Sequence, residues 1–168
     1  YDSIRSIIFH DNLRNINYFS FYSNQLTNIT IPTSVTHIGS AAFNANKLVD
    51  SQAFIYKRNS NGSEDKTFLV SYGGARKDNI VIPSTITTLG PRSMAYVYAS
   101  EMVIPSNVTN IQYSAFSYNY LTKVTIPSNV TIESNAISPT FYTAYVTNNS
   151  RAGGIYTAPS QTGTWTKQ

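Results

Sequence analysis

The sequence contains no cysteine among its 168 residues and few charged side chains. The absence of cysteine excludes disulfides, thiolate metal sites and cysteine nucleophiles together. Charged residues make up 12% of the chain, about half the usual share for soluble domains. Ser, Thr, Asn and Tyr must therefore supply most of the surface polarity, as is common in extracellular and cell-surface β-proteins.

Long apolar runs are also absent, since the longest cover only a few residues and a bilayer-spanning helix needs about 20. No lysine-led hydrophobic leader precedes the fold, and the chain opens at Tyr1, as a processed or trimmed chain would. We expect no membrane insertion of this segment. The net charge is +4, but basic residues are scattered from Arg5 to Lys167 with acids among them. Without a basic stripe to follow phosphates, no nucleic-acid binding is expected.

Residue patterns typical of catalysis are missing as well. The two histidines, His10 and His37, have no second ligand or base at a metal-site or helical spacing. The acids are single except Glu64 and Asp65, which fall in a predicted turn. No nucleophile elbow and no phosphate-binding glycine loop occurs. We therefore predict no catalytic residue, no metal ligand, no cofactor and no enzyme activity.

A 22-residue repeat runs through the chain. Pro83, Pro105 and Pro127 recur at this interval within apolar stretches. The related segments read LTNITIPTSVTHIG from Leu26, NIVIPSTITTLG from Asn79, EMVIPSNVTNIQ from Glu101 and LTKVTIPSNVTIE from Leu121. A fifth, diverged copy opens the chain with His10 in place of the proline. In the second half of each repeat, equivalent positions hold Phe21, Phe43 and Phe116, and then Asn24, Asn46 and Asn119. Such a period is typical of stacked repeats.

The first half of each repeat alternates apolar and polar residues, as a strand with one buried face requires. We predict parallel strands near residues 28–32, 79–83, 101–105 and 123–127. The residues expected to be buried are Ile29, Ile31, Ile82, Ile104, Val124 and Ile126, with Phe43 and Phe116 in the core. One repeat buries too little apolar surface to offset its ordering cost. The repeats must therefore stack, which predicts a solenoid.

The run from Ile31 to Leu48 closely resembles the treponemal or BspA-like class of leucine-rich repeats, and the resemblance extends from about Ile4 to Ile137. It implies a leucine-rich-repeat solenoid that is mainly β, with one short parallel strand per repeat and irregular or 3-10 convex segments. It also implies a bacterial surface or secreted protein that binds host or neighbouring-cell proteins in adhesion. The family often carries Cys where this chain has Asn24, Asn46 and Asn119, an exchange that the pattern tolerates.

Two segments interrupt or follow the repeats. We assign residues 1–143 to the solenoid, with about five repeats and a hairpin insertion at about 50–78, and residues 144–168 to a C-terminal β cap. The hairpin is predicted from two strand-like runs around Asn61 and Gly62 and is expected to project from the solenoid. In the tail, Tyr156 and Trp165 are candidates to cover the open end.

Candidate partner-binding residues lie in two sets. Tyr96 and Tyr118 are separated by one repeat, as are Tyr98 and Tyr120, so each pair should stack between neighbouring repeats as a lateral patch. The second set follows the outward strand positions and consists of Asn28, Thr30, Glu101 and Lys123. The expected partner is an extracellular or host protein. Three alternatives stay open: the tyrosines only fill the wall between repeats, they bind a glycan, or the chain is a spacer for another domain.

Overall fold

The structure, a computed structural model, describes residues 3–75 and 78–168 and is mainly β. In chain order the strands are β1 (Asn15–Ile16), β2 (His37–Ile38), β3 (Phe54–Arg58), β4 (Glu64–Tyr72), β5 (Thr88–Leu89), β6 (Glu101–Val103), β7 (Asn110–Ile111), β8 (Lys123–Ile126), β9 (Thr131–Ile132), β10 (Gly154–Thr157) and β11 (Thr166–Lys167). The helical segments are a 3-10 turn at Asp50–Gln52, helix α1 at Pro139–Tyr142 and a π-helical turn at Thr143–Asn148.

Parallel pairing between neighbouring repeats follows the sequence period. Strand β6 pairs with β8, and Glu101 lies opposite Lys123 while Val103 lies opposite Thr125. Each pair joins residues at equivalent positions of successive repeats, so the strand register coincides with the repeat. The parallel strands predicted near 101–105 and 123–127 are confirmed.

The strands predicted near 28–32 and 79–83 are wrong, because neither segment forms a strand. In the first, the Ile29 backbone N–H donates to the Gln52 side-chain oxygen at 3.0 Å instead of to a neighbouring strand. In the second, Asn79 has a left-handed φ of 58°, which breaks the extended conformation. The Ser100 backbone N–H then bonds to the Asp78 carboxylate at 2.7 Å.

A second row of strands follows the prolines and was not predicted. Strand β1 pairs in parallel with β2, and β5, β7 and β9 pair in parallel in that order. These strands are only two residues long. Each ends on a buried aliphatic side chain, the last of them Ile132 at 5% exposure. Alternation of apolar and polar residues predicts a strand only over a longer stretch, so it could not reveal these strands.

The insertion forms the antiparallel pair expected around Asn61 and Gly62, made of β3 and β4. Gly62 has a φ of +80°, and a Cβ there would overlap the Thr33 carbonyl, so the turn needs glycine. The expected outward projection is wrong. Strand β4 also pairs in parallel with β5, and its Val70 carbonyl accepts the Ala41 N–H at 3.1 Å. The hairpin thus lies in the position of a repeat.

The tail returns to the repeats as an antiparallel element. Ser138 caps helix α1, since its hydroxyl accepts the Phe141 backbone N–H at 3.1 Å. Strand β10 then pairs antiparallel with β8, and β11 pairs antiparallel with β10. Phe141, Tyr145, Tyr156 and Trp165 pack together with ring centroids 5.1 to 6.0 Å apart. All four rings are buried.

Most of the predicted core is confirmed. Phe43 and Phe116 are fully buried. The predicted strand-face residues that are buried are Ile29, Ile82, Ile104, Val124 and Ile126. Ile31 is an exception, because it is only half-buried against the N-terminal cluster. No strand pairs with its segment, so part of its surface stays in contact with solvent.

The repeated asparagines tie each repeat to the one before it. The side-chain oxygens of Asn24, Asn46 and Asn119 accept the backbone N–H groups of Ile4, Leu26 and Ala99, respectively, at 2.9 to 3.1 Å. The side-chain amides of Asn46 and Asn119 also donate to carbonyls of two successive repeats. A buried backbone that is irregular needs such partners, which explains why asparagine recurs at this position.

Candidate functional site: a tyrosine-lined wall and its grooves

Tyr96, Tyr98, Tyr118 and Tyr120 form what we call the tyrosine wall. The rings of Tyr96 and Tyr118 are stacked, with centroids 4.3 Å apart and planes 7° apart. Those of Tyr98 and Tyr120 are 5.6 Å apart and tilted by 50°. Tyr118 and Tyr120 are each 64% exposed, and their partners are half-buried. The predicted contacts between neighbouring repeats are present, and a role of these rings in partner binding stays a prediction.

The backbone of the tyrosine wall is unusual for aromatic residues. Tyr96, Tyr98 and Tyr118 have left-handed φ values of 63°, 64° and 58°. The equivalent positions of Tyr96 and Tyr118 in the first two repeats carry the smaller Ser23 and Ala45, at φ 57°. For a residue with a Cβ this conformation costs about 1–2 kcal/mol. The backbone therefore does not favour tyrosine here, and the ring itself must account for its presence.

Two further aromatic residues extend the tyrosine wall beyond the predicted pairs. The Tyr22 ring lies 4.7 Å from that of Tyr96, and the Phe19 ring lies 6.3 Å from it. In the second repeat, the positions equivalent to Phe19 and Tyr96 carry the small Ala41 and Ala45. Sequence reasoning missed Phe19 and Tyr22 because the separation of Tyr22 from Tyr96 along the chain is not a multiple of the repeat. The small residues of the second repeat were the available signal.

Contact between these rings changes the acidity of the central phenol. Burial raises the pKa of Tyr96 to about 12. A hydrogen bond with the Tyr118 side chain and the neighbouring Tyr118 and Tyr22 phenols also raise this pKa, while Arg92 acts in the opposite direction. Tyr96 is therefore neutral at physiological pH, so the tyrosine wall carries no negative charge from this residue.

A groove of about 880 Å³ separates the tyrosine wall from the C-terminal tail. Tyr118 and Tyr120 line one side, and the tail segment 159–162 lines the other. Gln161 holds the tail in place, since its amide donates to the Phe116 and Ile137 carbonyls, both at 3.0 Å. The tail residues were not predicted as part of a site, because nothing in the repeat pattern positions a segment that lies outside it.

A second groove of about 590 Å³ continues on the other side of Arg92 and Phe19, which line both. The Arg92 guanidinium lies 4.9 Å from the centroid of the Tyr113 ring. In the second groove the Lys57 ammonium lies 5.5 Å from the centroid of the Phe68 ring. Two cations thus lie over aromatic rings, a favourable arrangement that leaves their outer faces available to a ligand.

The outward strand residues form a different surface. The Lys123 ammonium and the Glu101 carboxylate make an ion pair at 2.9 Å, with both side chains about half exposed. Asn28 and Thr30 are exposed but do not belong to the sheet that contains Glu101 and Lys123. The structure therefore brings the four tyrosines together and leaves these four strand residues as two separate pairs.

The described part of the chain contains no metal-binding cluster and no membrane-spanning helix. Among residues 3–75 and 78–168, no three His, Asp or Glu side chains are grouped as metal ligands. His10 and His37, the two histidines, are exposed. Within the same ranges, no helix has the length and apolar character to cross a bilayer.

A protein-family model matches most of the chain. The model for the BspA type leucine-rich repeat region matches six copies, over residues 1–69 and 71–152. The chain belongs to the BspA-type leucine-rich repeat family. Comparison with curated proteins and with solved structures found no match.

Membership of the BspA-type family agrees with the parallel pairing of strands at the repeat spacing. The matched ranges include the hairpin, in keeping with the position of β4 beside β5. They also reach the π-helical turn, and the family model counts six copies where about five were read from the sequence. BspA-type repeats generally serve in protein interaction, are generally not enzymes and are generally associated with the cell surface.

Proposed function

We propose that this chain is a non-catalytic adhesion module that presents the tyrosine wall to a protein partner at the bacterial cell surface or outside the cell. Family membership supports the protein-interaction part. The observation that carries the proposal is the stack of Tyr96 on Tyr118, with the outer ring 64% exposed. Stacked tyrosines lose little rotamer freedom on binding, and tyrosine is enriched among the residues that dominate interfaces.

The outward side of β6 and β8, which we call the strand face, is less suited to a protein interface than the tyrosine wall. Its two described charges are paired with each other, and β6 and β8 have only three and four residues. Two such strands cover roughly 120 Å² in plan, at about 4.8 Å between strands and 3.3 Å per residue. A standard interface buries about 800 Å² per partner. We therefore expect weak binding through that face alone.

We further propose that residues 1–143 form a repeat solenoid and that residues 144–168 cap its end. The antiparallel pairing of β10 with β8 supports this, because it closes a series of parallel strands with one of opposite direction. Burial of Tyr156 and Trp165 against Phe141 supports it as well. Deleting residues 144–168 should then expose apolar surface and cause aggregation. A truncated chain that stays monomeric with an unchanged thermal midpoint would argue against a cap.

Two double variants test the proposed surface. Tyr98→Ser with Tyr120→Ser removes half of the tyrosine wall, and Glu101→Ser with Lys123→Ser is the matched change on the strand face. Binding to a panel of immobilised extracellular-matrix proteins is compared with that of the unaltered chain. We expect the tyrosine variant to lose binding with a nearly unchanged thermal midpoint, and the strand variant to keep it.

The reverse result would place the interface on the strand face. A tyrosine variant that unfolds would instead mean that the rings serve structure only. If the unaltered chain binds no protein of the panel, the alternative of a spacer for another domain is favoured.

A further inference from the structure

The two grooves beside the tyrosine wall adjoin each other at Phe19 and Arg92, which line both, and we call the pair the trough. Their volumes, about 880 and 590 Å³, lie in the range of ligand sites, about 300–1,000 Å³. The trough runs from Lys57 beside the hairpin, past Arg92, to Tyr118 and the tail. Each groove therefore has the size of a small-ligand site.

The charge of the trough has one sign. Lys57, Arg58 and Arg92 line it, and no Asp or Glu does so in the described part of the chain. Arg58 is already engaged, since it donates to the Gly62 carbonyl at 2.9 Å and lies 3.7 Å from Glu64. The Arg92 guanidinium has no hydrogen bond or carboxylate partner among the described residues; it lies over the Tyr113 ring and acts on the Tyr96 phenol. Its planar set of N–H groups suits a carboxylate or sulfate.

The neutral lining of the trough is rich in hydroxyl and amide groups. Around the Tyr118 and Tyr120 rings lie Ser117, Thr122 and Asn135. Aromatic faces provide apolar contact for the C–H side of a sugar ring, and hydroxyl and amide groups match its hydroxyls. A peptide side chain would instead need a deep apolar pocket to be desolvated, and this trough is an open groove whose aromatic faces alternate with hydroxyl and amide groups.

We propose that this trough binds an acidic glycan, with the Arg92 guanidinium on a carboxylate or sulfate group and a sugar ring against Tyr118. This site is additional to the protein interface proposed above, although the two share Tyr96, Tyr118 and Tyr120. Lys57 in the adjoining groove is a second cation, although it also interacts with Asp65 on the neighbouring strand. The net charge of +4 favours approach of such a ligand.

The test uses three soluble oligosaccharides of similar length, measured by calorimetry with the whole chain. One is an oligogalacturonate with carboxylates only, one is a sulfated heparin fragment, and one is a neutral cello-oligosaccharide. We expect at least one acidic probe to bind about tenfold more tightly than the neutral one, and the stronger of the two identifies the acidic group. Its binding should weaken as salt rises from about 0.05 M to about 0.5 M, because the contact is charge-assisted.

Variants at Arg92 locate the site. Arg92→Gln should lower affinity for the acidic probe about tenfold and leave the neutral probe unaffected. Arg5→Gln, at an exposed position outside both grooves, is the matched change of charge and should have no effect. If Arg92→Gln lowers the thermal midpoint, Arg92→Lys is used as the test variant instead. That variant keeps the charge but loses the planar fork, so an intermediate loss is expected.

Three results would overturn the acidic-glycan site: equal binding of acidic and neutral probes, an Arg92→Gln variant that binds as the unaltered chain does, or binding of a polyglutamate peptide but of no oligosaccharide. The last would indicate an acidic peptide as the ligand. Failure of this site is separable from failure of the protein interface. The Tyr120 ring lines the first groove, so the double variant affects both sites, whereas Tyr98→Ser alone lies outside both grooves and reports on protein capture.

Discussion

Asn119 Oδ1 accepts the Ala99 backbone N–H at 3.1 Å and thereby joins two successive repeats. The same side chain donates to the Met94 and Phe116 carbonyls, both at 2.9 Å. One buried amide thus provides partners for three backbone groups that no strand reaches. This arrangement lets the convex half of the repeat stay irregular without leaving polar groups unpaired.

Replacing this amide should be costly. Asn119→Ala leaves the Ala99 N–H and the Met94 carbonyl without this partner in a site that is 5% exposed, while the Phe116 carbonyl keeps its bond to Gln161. We expect a loss of about 2–4 kcal/mol. Asn148→Ala, at an exposed position, is the control and should change stability by less than about 0.5 kcal/mol. Urea unfolding followed by circular dichroism measures both, and equal stabilities would contradict a structural role for Asn119.

Phe116 tests the repeat core. Its side chain is fully buried, so Phe116→Ala removes apolar contact and leaves a cavity, at a cost of about 3–5 kcal/mol. The same change at Tyr113, which is 42% exposed, should cost much less. Thermal and denaturant unfolding give the comparison, and a loss under about 1 kcal/mol at Phe116 would contradict its placement.

Substitution of Tyr118 distinguishes the cost of its left-handed backbone from the stabilisation that its stacked ring provides. Tyr118→Asn places a residue that tolerates the left-handed conformation at φ 58°. Relief of about 1 kcal/mol should offset the lost stacking on Tyr96, worth about 0.5–1.5 kcal/mol. Tyr120→Asn is the matched control, because Tyr120 does not have a positive φ. We expect the Tyr118 variant to be the more stable of the two by about 1 kcal/mol, and the opposite order would argue against strain at this position.

Alkaline pH should destabilise the protein in a defined range. Burial raises the pKa of Tyr72 and of Tyr96 to about 12 each, from about 10 in an unfolded chain. The folded state therefore holds these protons more tightly, and the resulting stability is complete below pH 10 and is lost as pH rises toward 12. Tyrosinate absorbance should titrate in two phases. Tyr72→Phe should reduce the later phase, and a single phase near pH 10 would show that both phenols ionise normally.

The ion pair on the strand face should matter little. Lys123→Ala breaks its contact with Glu101 at a half-exposed site, and such pairs are worth about 0–1 kcal/mol. The adjacent Val124→Ala, at a fully buried position, should cost more than about 1 kcal/mol. Chemical unfolding in low and high salt checks both, and a large, salt-sensitive effect at Lys123 would be unexpected.

Much of the fold could be predicted because its contacts recur at the repeat period. The register of Glu101 opposite Lys123 and the burial of Phe43 and Phe116 follow directly from residues at equivalent positions of the repeat. Asn61 and Gly62 identified the hairpin through their turn preference. In each case a local rule and the repeat pointed to the same structure.

The rest of the fold could not be predicted, because it depends on contacts that do not recur with the repeat. Strand β4 joins the parallel row through Leu69 opposite Leu89, an offset slightly shorter than the repeat. Asp78 displaces a strand by bonding to Ser100, which hydrophobic alternation does not show. In the candidate site, the four tyrosines were predictable as pairs. The positions of Arg92 and Gln161 depend on packing across the hairpin and the tail.

The register between β6 and β8 determines where a further repeat can be inserted. The strand pairing and the Asn119 link across that boundary both join residues separated by one repeat or slightly less. Duplicating residues 101–122 in place should therefore lengthen the protein by one turn and add one more tyrosine to each row. Across the hairpin, where the offset differs, the same insertion would misalign its neighbours. Elongation during evolution would then be confined to the parts on either side of the hairpin where strands pair one repeat apart, so relatives should vary in length there first.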